Sequence, residues 1–270
     1  MSESECQSLQ FDQLMAEGLN LDVEAHWGAG FLPGRFQADE PSWSYRAMAR
    51  PLLAEAESAL DMGTGEGRVL ASLAPLPSLT VAYEEWWPTV PAARATLTPL
   101  DVHLVVALGS NENVPKPESG RRPGLPFQSS VFDVVLNRHE AFDPLEVRRI
   151  IKPDGRFLIA QVGSDEADSV RTLLGLSVDE RVWAAAVAVA QLESVGWVIE
   201  EVHEDRLTMR FFDIAALIGY VRSTPWAFED LDWGTATPRL QQLHALSRSR
   251  AIEAVSHRFV VLARPTVPQA

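Results

Sequence analysis

Three glycines in five positions, Gly63, Gly65 and Gly67, follow an apolar run that ends in Asp61 and Met62. Glycine tolerates positive φ and lets another group come against the main chain, so this density marks a tight turn where something approaches closely. Asp61 and Glu66 flank the turn with negative charge, which selects what approaches. A pyrophosphate would be repelled. The dinucleotide spacing G-x-G-x-x-G fails as well, since Arg68 stands where its third glycine belongs. A cation would be attracted. A further carboxylate, Glu84, ends the next apolar run about 20 residues on, where a paired acceptor can take both hydroxyls of a ribose. Glu85 takes that role if the strand register is one residue off, and Trp86 lies where an adenine could rest.

These residues need elements to hold them. Strands are expected at 58–62, 79–83, 102–108, 131–137, 156–162, 197–204 and 257–264, with helices after most of them. Ser42 is expected to cap a helix interrupted at Pro51, and a long helix is expected over 178–195 with Gly196 as its stop. Strands alternating with helices give a mostly parallel sheet covered on both faces. Ligands of such sheets bind at the carboxyl ends of the strands.

The stretch LDMGTGEG resembles motif I of class I S-adenosylmethionine-dependent methyltransferases, an acidic residue followed by G-x-G-x-G. Residues 125–163, with LPFQSSVFDVV and IIKPDGRFLI, resemble the later strand–helix–strand stretch of the same family, with Asp154 where the family usually has glycine. NRHE at 137–140 followed by QVG is similar to a small bacterial subgroup of that family. The resemblance implies a Rossmann-like α/β fold with a seven-stranded, mostly parallel sheet whose last strand is antiparallel, and S-adenosyl-L-methionine as cofactor. It places Asp61, Met62, Gly63, Thr64, Gly65, Gly67 and Glu84 around that cofactor, with Asn137 beside them. The family's acidic residue for the adenine amino group is replaced by ALGSNEN, where Ser110, Asn111 or Glu112 could substitute.

In this fold the acceptor faces the end of the fourth strand. His139 is there the candidate general base, because an unperturbed imidazole titrates near neutrality. Arg138 and Glu140 would orient the histidine or the acceptor, and Gln161 would face the site from the fifth strand. Residues 1–57 are expected to form a cap segment, 58–264 the methyltransferase domain with a lid inserted at 206–255, and 265–270 a tail. The lid and the N-terminal segment together supply Arg35, Trp43, Phe211, Tyr220 and Trp226 as pocket walls. Aromatic faces tolerate a nearby cation and suit a planar or apolar acceptor.

The composition bounds the partners. A formal charge of −14 opposes attraction to nucleic acid or anionic lipid and favours a small-molecule acceptor. The competing readings are an RNA base methyltransferase, which needs a basic face beyond Arg121–Arg122, and a cofactor-binding module without turnover. The lone Cys6, the acidic N-terminus and the absence of a long apolar stretch point to a cytoplasmic protein. His103, His203 and His257 lack metal-ligand spacing, so no metal is expected, and no G-x-S-x-G turn supports a hydrolase.

Overall fold

The computed structural model describes residues 3–23, 33–110, 113–114, 124–178, 180 and 182–266, the first seven of these as main chain. The strands are β1 Phe36–Ala38, β2 Ser58–Met62, β3 Leu79–Glu84, β4 His103–Val106, β5 Phe132–Arg138, β6 Ile151–Val162, β7 Trp197–Phe211 and β8 Ile252–Pro265. The helices are α1 Glu3–Asn20, α2 Tyr45–Ala54, α3 Arg68–Ala71, α4 Val90–Leu97, α5 Pro144–Ile150, α6 Ser164–Leu174, α7 Ala185–Ser194, α8 Ile214–Ser223 and α9 Trp233–Ser247. The strands form one sheet in the order β1-β7-β8-β6-β5-β2-β3-β4. The pairs β4–β3, β3–β2, β2–β5 and β5–β6 are parallel, and β8 is antiparallel to β6 as expected for the last strand.

Among the described residues the sheet has eight strands where seven were expected. The extra one is β1, whose Phe36, Gln37 and Ala38 pair antiparallel with Phe211, Arg210 and Met209. Three residues carry too little alternation to be read from sequence.

The chain forms two compact units. One comprises Pro41–Gly163, Arg181–Asp205 and Arg258–Ala270 and holds the glycine turn; the other comprises Met1–Glu40, Ser164–Glu180 and Arg206–His257. In the first, strict alternation buries both faces of the sheet. Leu60, Met62, Val81, Tyr83, Val135, Phe157, Ile159, Phe259 and Val261 join one core. Ala59, Ala82, Val134, Leu136, Leu158, Ala160 and Val260 join the other, under Tyr45, Ala49 and Leu53 of α2. The second unit has its own core, built from Met209 and Phe211 of β7 and the apolar residues of α8 and α9.

Several helix boundaries differ from expectation for local reasons. Ser44, not Ser42, caps α2 by accepting from the Ala47 N–H, and the helix continues through Pro51. Ser42 instead gives both its N–H and its hydroxyl to Asp205. Helix α7 begins at Ala185 because Ala184 is extended, well after the expected start at 178. Helix α9, for its part, begins at Trp233, where Asp232 caps it, and carries Pro238 inside. Among the described residues, no helix is long and apolar enough to cross a membrane.

Candidate active site

The sheet register sorts the site residues onto two faces. Asp61 lies level with Ala82 and Leu136, so Asp61, Glu84 and Arg138 continue the face covered by α2. Met62, Tyr83 and Asn137 continue the opposite face, with Gln161 two residues beyond Ile159. Polar side chains thus take over where the apolar alternation ends, at the carboxyl edge.

Between β2 and α3 the glycine turn has φ of 64° at Gly63, 58° at Gly65 and 75° at Gly67. Its main chain is fixed by Thr64 N–H to the Tyr83 carbonyl at 3.1 Å and Gly67 N–H to the Thr64 carbonyl at 3.0 Å. Glu84, 4% exposed, closes the turn. Its Oε2 accepts from the Gly65 N–H at 2.6 Å, and its Oε1 from Glu85 and Trp86 N–H at 3.0 and 2.7 Å. Three of a carboxylate's roughly four acceptor sites are therefore used by backbone. Glu85 turns elsewhere, with its Oε2 accepting from Gly109 N–H at 2.9 Å, and Trp86 is exposed.

The glycines differ in what surrounds them. A Cβ on Gly67 would lie 2.6 Å from Leu97 Cγ, and one on Gly63 would lie 2.6 Å from Glu140 Cβ. A Cβ on Gly65 would meet nothing within 4 Å. We expect Gly67→Ala to destabilise the fold by about 2–5 kcal/mol, combining left-handed strain with overpacking against a fully buried leucine. Gly65→Ala should cost only the strain, about 1–2 kcal/mol. Denaturant midpoints of the two variants would check this, and equal losses would refute it.

Asp61 is 7% exposed, and burial, with some help from the charge of Glu84, pushes its carboxyl up to about 7. The Thr64 hydroxyl and the Arg138 charge oppose that rise. Glu84 is also raised, chiefly by burial and against its three backbone donors.

On the other face a chain of amides runs from the edge inward. Gln161 Nε2 donates to Asn137 Oδ1 at 2.7 Å and to the Glu140 carbonyl at 2.9 Å. Its Oε1 accepts from Asn113 Nδ2 at 3.2 Å, and the Asn113 carbonyl accepts from Gln191 Nε2 at 2.9 Å. Asn113 Oδ1 also takes the Phe142 N–H at 3.1 Å. Asn137 is fully buried, and its Nδ2 has no partner. Sequence reasoning missed Asn113 and Gln191, since isolated amides far apart in the chain give no signal.

His139 has φ of 67°, a conformation that β-strand residues avoid, and its N–H donates to the Ala160 carbonyl at 2.9 Å. His139 is exposed just beyond the end of β5. Loss of solvent around its ring, with the charges of Arg138 and Arg258, holds the imidazole well below its ordinary value. Glu140 packs over Gly63. Arg138 makes no ion pair with it or with any other described residue.

Of the expected pocket walls, Trp43 is half-buried in the unit of the glycine turn, and its Nε1 has no partner. The others belong to the second unit. Arg35 bonds Asp213 at 2.7 and 2.8 Å and also Glu17. Phe211 is fully buried, with ring centroids 5.2 Å from Phe36 and 5.4 Å from Tyr220. The Tyr220 hydroxyl donates to Glu166 at 2.8 Å, and Trp226 is exposed on a turn. Asn111 and Glu112 lie outside the described residues, while Ser110 is half-buried. Among the described residues, no group of three or more His, Cys, Asp or Glu is placed to hold a metal ion.

This topology, with its glycine turn after β2 and its antiparallel β8, is the class I methyltransferase fold. A protein of Bacillus halodurans assigned provisionally as a methyltransferase superposes with a TM-score of 0.55 at 20% identity, covering 83% of this chain and 100% of its own. YcgJ of Bacillus subtilis gives 0.54 at 16% identity, covering 82% and 98%. A protein of unknown function from Deinococcus radiodurans gives 0.54 at 16%, covering 85% and 90%. No family model and no curated protein matches the chain.

Proposed function

We propose that the protein is an S-adenosyl-L-methionine-dependent methyltransferase acting on an oxygen or nitrogen of a small molecule. The observation that carries this reading is Asp61, a nearly buried carboxyl pushed up to about 7 at the foot of a positive-φ glycine turn. A cationic ligand relieves the cost of ionising it. The residues fit the cofactor in other respects. Gly65 has open space above it, the unpartnered Asn137 Nδ2 is a donor awaiting an acceptor, and α3 is a single turn with little dipole to offer a pyrophosphate.

When bound, S-adenosylmethionine supplies an electrophilic methyl group on a sulfonium that is also the leaving group. The chain's own task is then alignment and proton removal. Asp61 holds the cation, Glu84 keeps the turn in shape and offers its remaining acceptor site to a ribose hydroxyl, and Gln161 fixes the peptide of Glu140. His139, neutral at physiological pH, takes the acceptor's proton on an imidazole nitrogen.

Calorimetry tests the reading directly. Saturable binding of S-adenosylmethionine with none of NAD is expected, and the reverse result would sink it. Glu84→Ala should weaken cofactor binding by about 1–3 kcal/mol, roughly 5–150-fold. Methyl transfer from labelled cofactor into the small-molecule fraction of a cell extract, read by mass spectrometry against the RNA fraction, checks the acceptor class.

A further inference from the structure

We propose that the methyl acceptor carries an oxyanion, a carboxylate or phosphate group, gripped by Arg138 with Arg258 and Arg46 beside it. This rests on the methyltransferase reading and names the substrate class of that site. The register brings the first two arginines together. Arg138 is level with Ala160, Ala160 with Val260, and Arg258 with Val162. Residues two apart along a strand share a face, so Arg138 and Arg258 lie on one face at the carboxyl edge, with only β6 between their strands. The same face packs under α2, whose first residues are Tyr45 and Arg46.

The chain has 37 acidic and 23 basic residues, an excess of carboxylates for its arginines. Arg35, Arg149, Arg156, Arg171 and Arg210 hold carboxylate partners, while Arg50, Arg148 and Arg222 are held by backbone carbonyls. Arg138, exposed at the edge, has no carboxylate partner among the described residues. The guanidinium of Arg46 is turned to the Ser72 hydroxyl at 2.8 Å and neutralises nothing. Asp61 lies on this same face, and in the cofactor complex proposed above its charge is taken up by the cofactor's cation. The Tyr45 hydroxyl, buried on the same face, also lacks a partner. An oxyanion would take Arg138's parallel N–H pair, the geometry that guanidinium offers to carboxylate and phosphate, and would give the Tyr45 hydroxyl an acceptor. A planar carboxylate satisfies this grip.

The cofactor's own carboxylate is the other source of such an anion, and the experiment separates the two. Cofactor-saturated protein is titrated with benzoate and with inorganic phosphate by calorimetry, in the parent and in Arg138→Gln. Saturable binding of at least one anion is expected, weakened tenfold or more in Arg138→Gln, while S-adenosylmethionine affinity stays within about threefold. Arg138→Lys, which keeps the charge but loses the fork, should fall between. Removing an unpaired, exposed arginine should leave the melting temperature of Arg138→Gln unchanged, so the comparison is made on folded protein. A tenfold loss of cofactor affinity in Arg138→Gln would assign the arginine to the cofactor's carboxylate and overturn the proposal. Absence of saturable anion binding in the parent, or equal binding in the variant, would overturn it too. Anion binding by a parent protein that ignores S-adenosylmethionine would instead reject the methyltransferase reading, and the acceptor role with it.

Discussion

Asp61→Asn is expected to lower S-adenosylmethionine affinity by roughly 10–150-fold, the loss of charged hydrogen bonding worth about 1.5–3 kcal/mol. It should also remove two pH dependences of opposite sign. In the unliganded protein Asp61 titrates at about 7, against about 3.9 in an unfolded chain. Its contribution to stability is therefore fully present below about pH 4 and lost as pH rises through about 7. Cofactor binding runs the other way, because a cation favours the ionised carboxylate, so affinity should climb up to about pH 7 and level off above it. The thermal shift produced by cofactor should thus be larger at pH 8 than at pH 6 in the parent and nearly constant in Asp61→Asn. Melting curves across pH 5–8, with and without cofactor, read both effects. A parent whose cofactor-induced shift shrinks with rising pH would contradict the assignment.

His139→Asn should reduce turnover by about 10²–10⁴ if the imidazole removes the acceptor's proton. Asparagine accepts positive φ well, so the strained position at 67° survives the change and stability should move little. Cofactor affinity should stay within about threefold, which separates this variant from Asp61→Asn. Because loss of solvent and two arginine charges hold the imidazole well below its ordinary value, it is already deprotonated at pH 7. The parent's rate should accordingly show no histidine step between pH 7 and 9. Single-turnover measurements give the chemical step, and unchanged rates in the variant would return His139 to a purely conformational role.

The core of the fold was readable because both faces of β2, β3, β5 and β6 are buried, which writes long apolar runs into the sequence. The glycine turn was readable because three positive-φ positions leave little choice but glycine. Other features left no such trace. Helix α6 follows β6 after a single residue and was not marked out in the sequence, though its first turn carries Asp165 and Glu166. Strand β7 extends through charged residues to Phe211, beyond the expected end at 204, because exposed strand positions tolerate charge. At the site, Asp61 and Glu84 could be named from spacing, but Glu84's three backbone donors could not. The amide chain through Asn113 and the grouping of Arg46, Arg138 and Arg258 depend on register between segments far apart in sequence. Chain proximity does not encode them.

Glu84 has a consequence for how descendants of this protein would drift. A side chain devoted only to ligand recognition becomes free to change once the chemistry is no longer selected. Glu84 does not, because the glycine turn would lose the acceptor that holds Gly65 and Trp86. A lineage that had abandoned catalysis would still be under pressure to keep this acid, while His139, which strains its own backbone, would be among the first to go. On the proposed reaction, loss of the histidine in such a lineage would signal lost turnover, whereas persistence of the glutamate would not by itself signal activity.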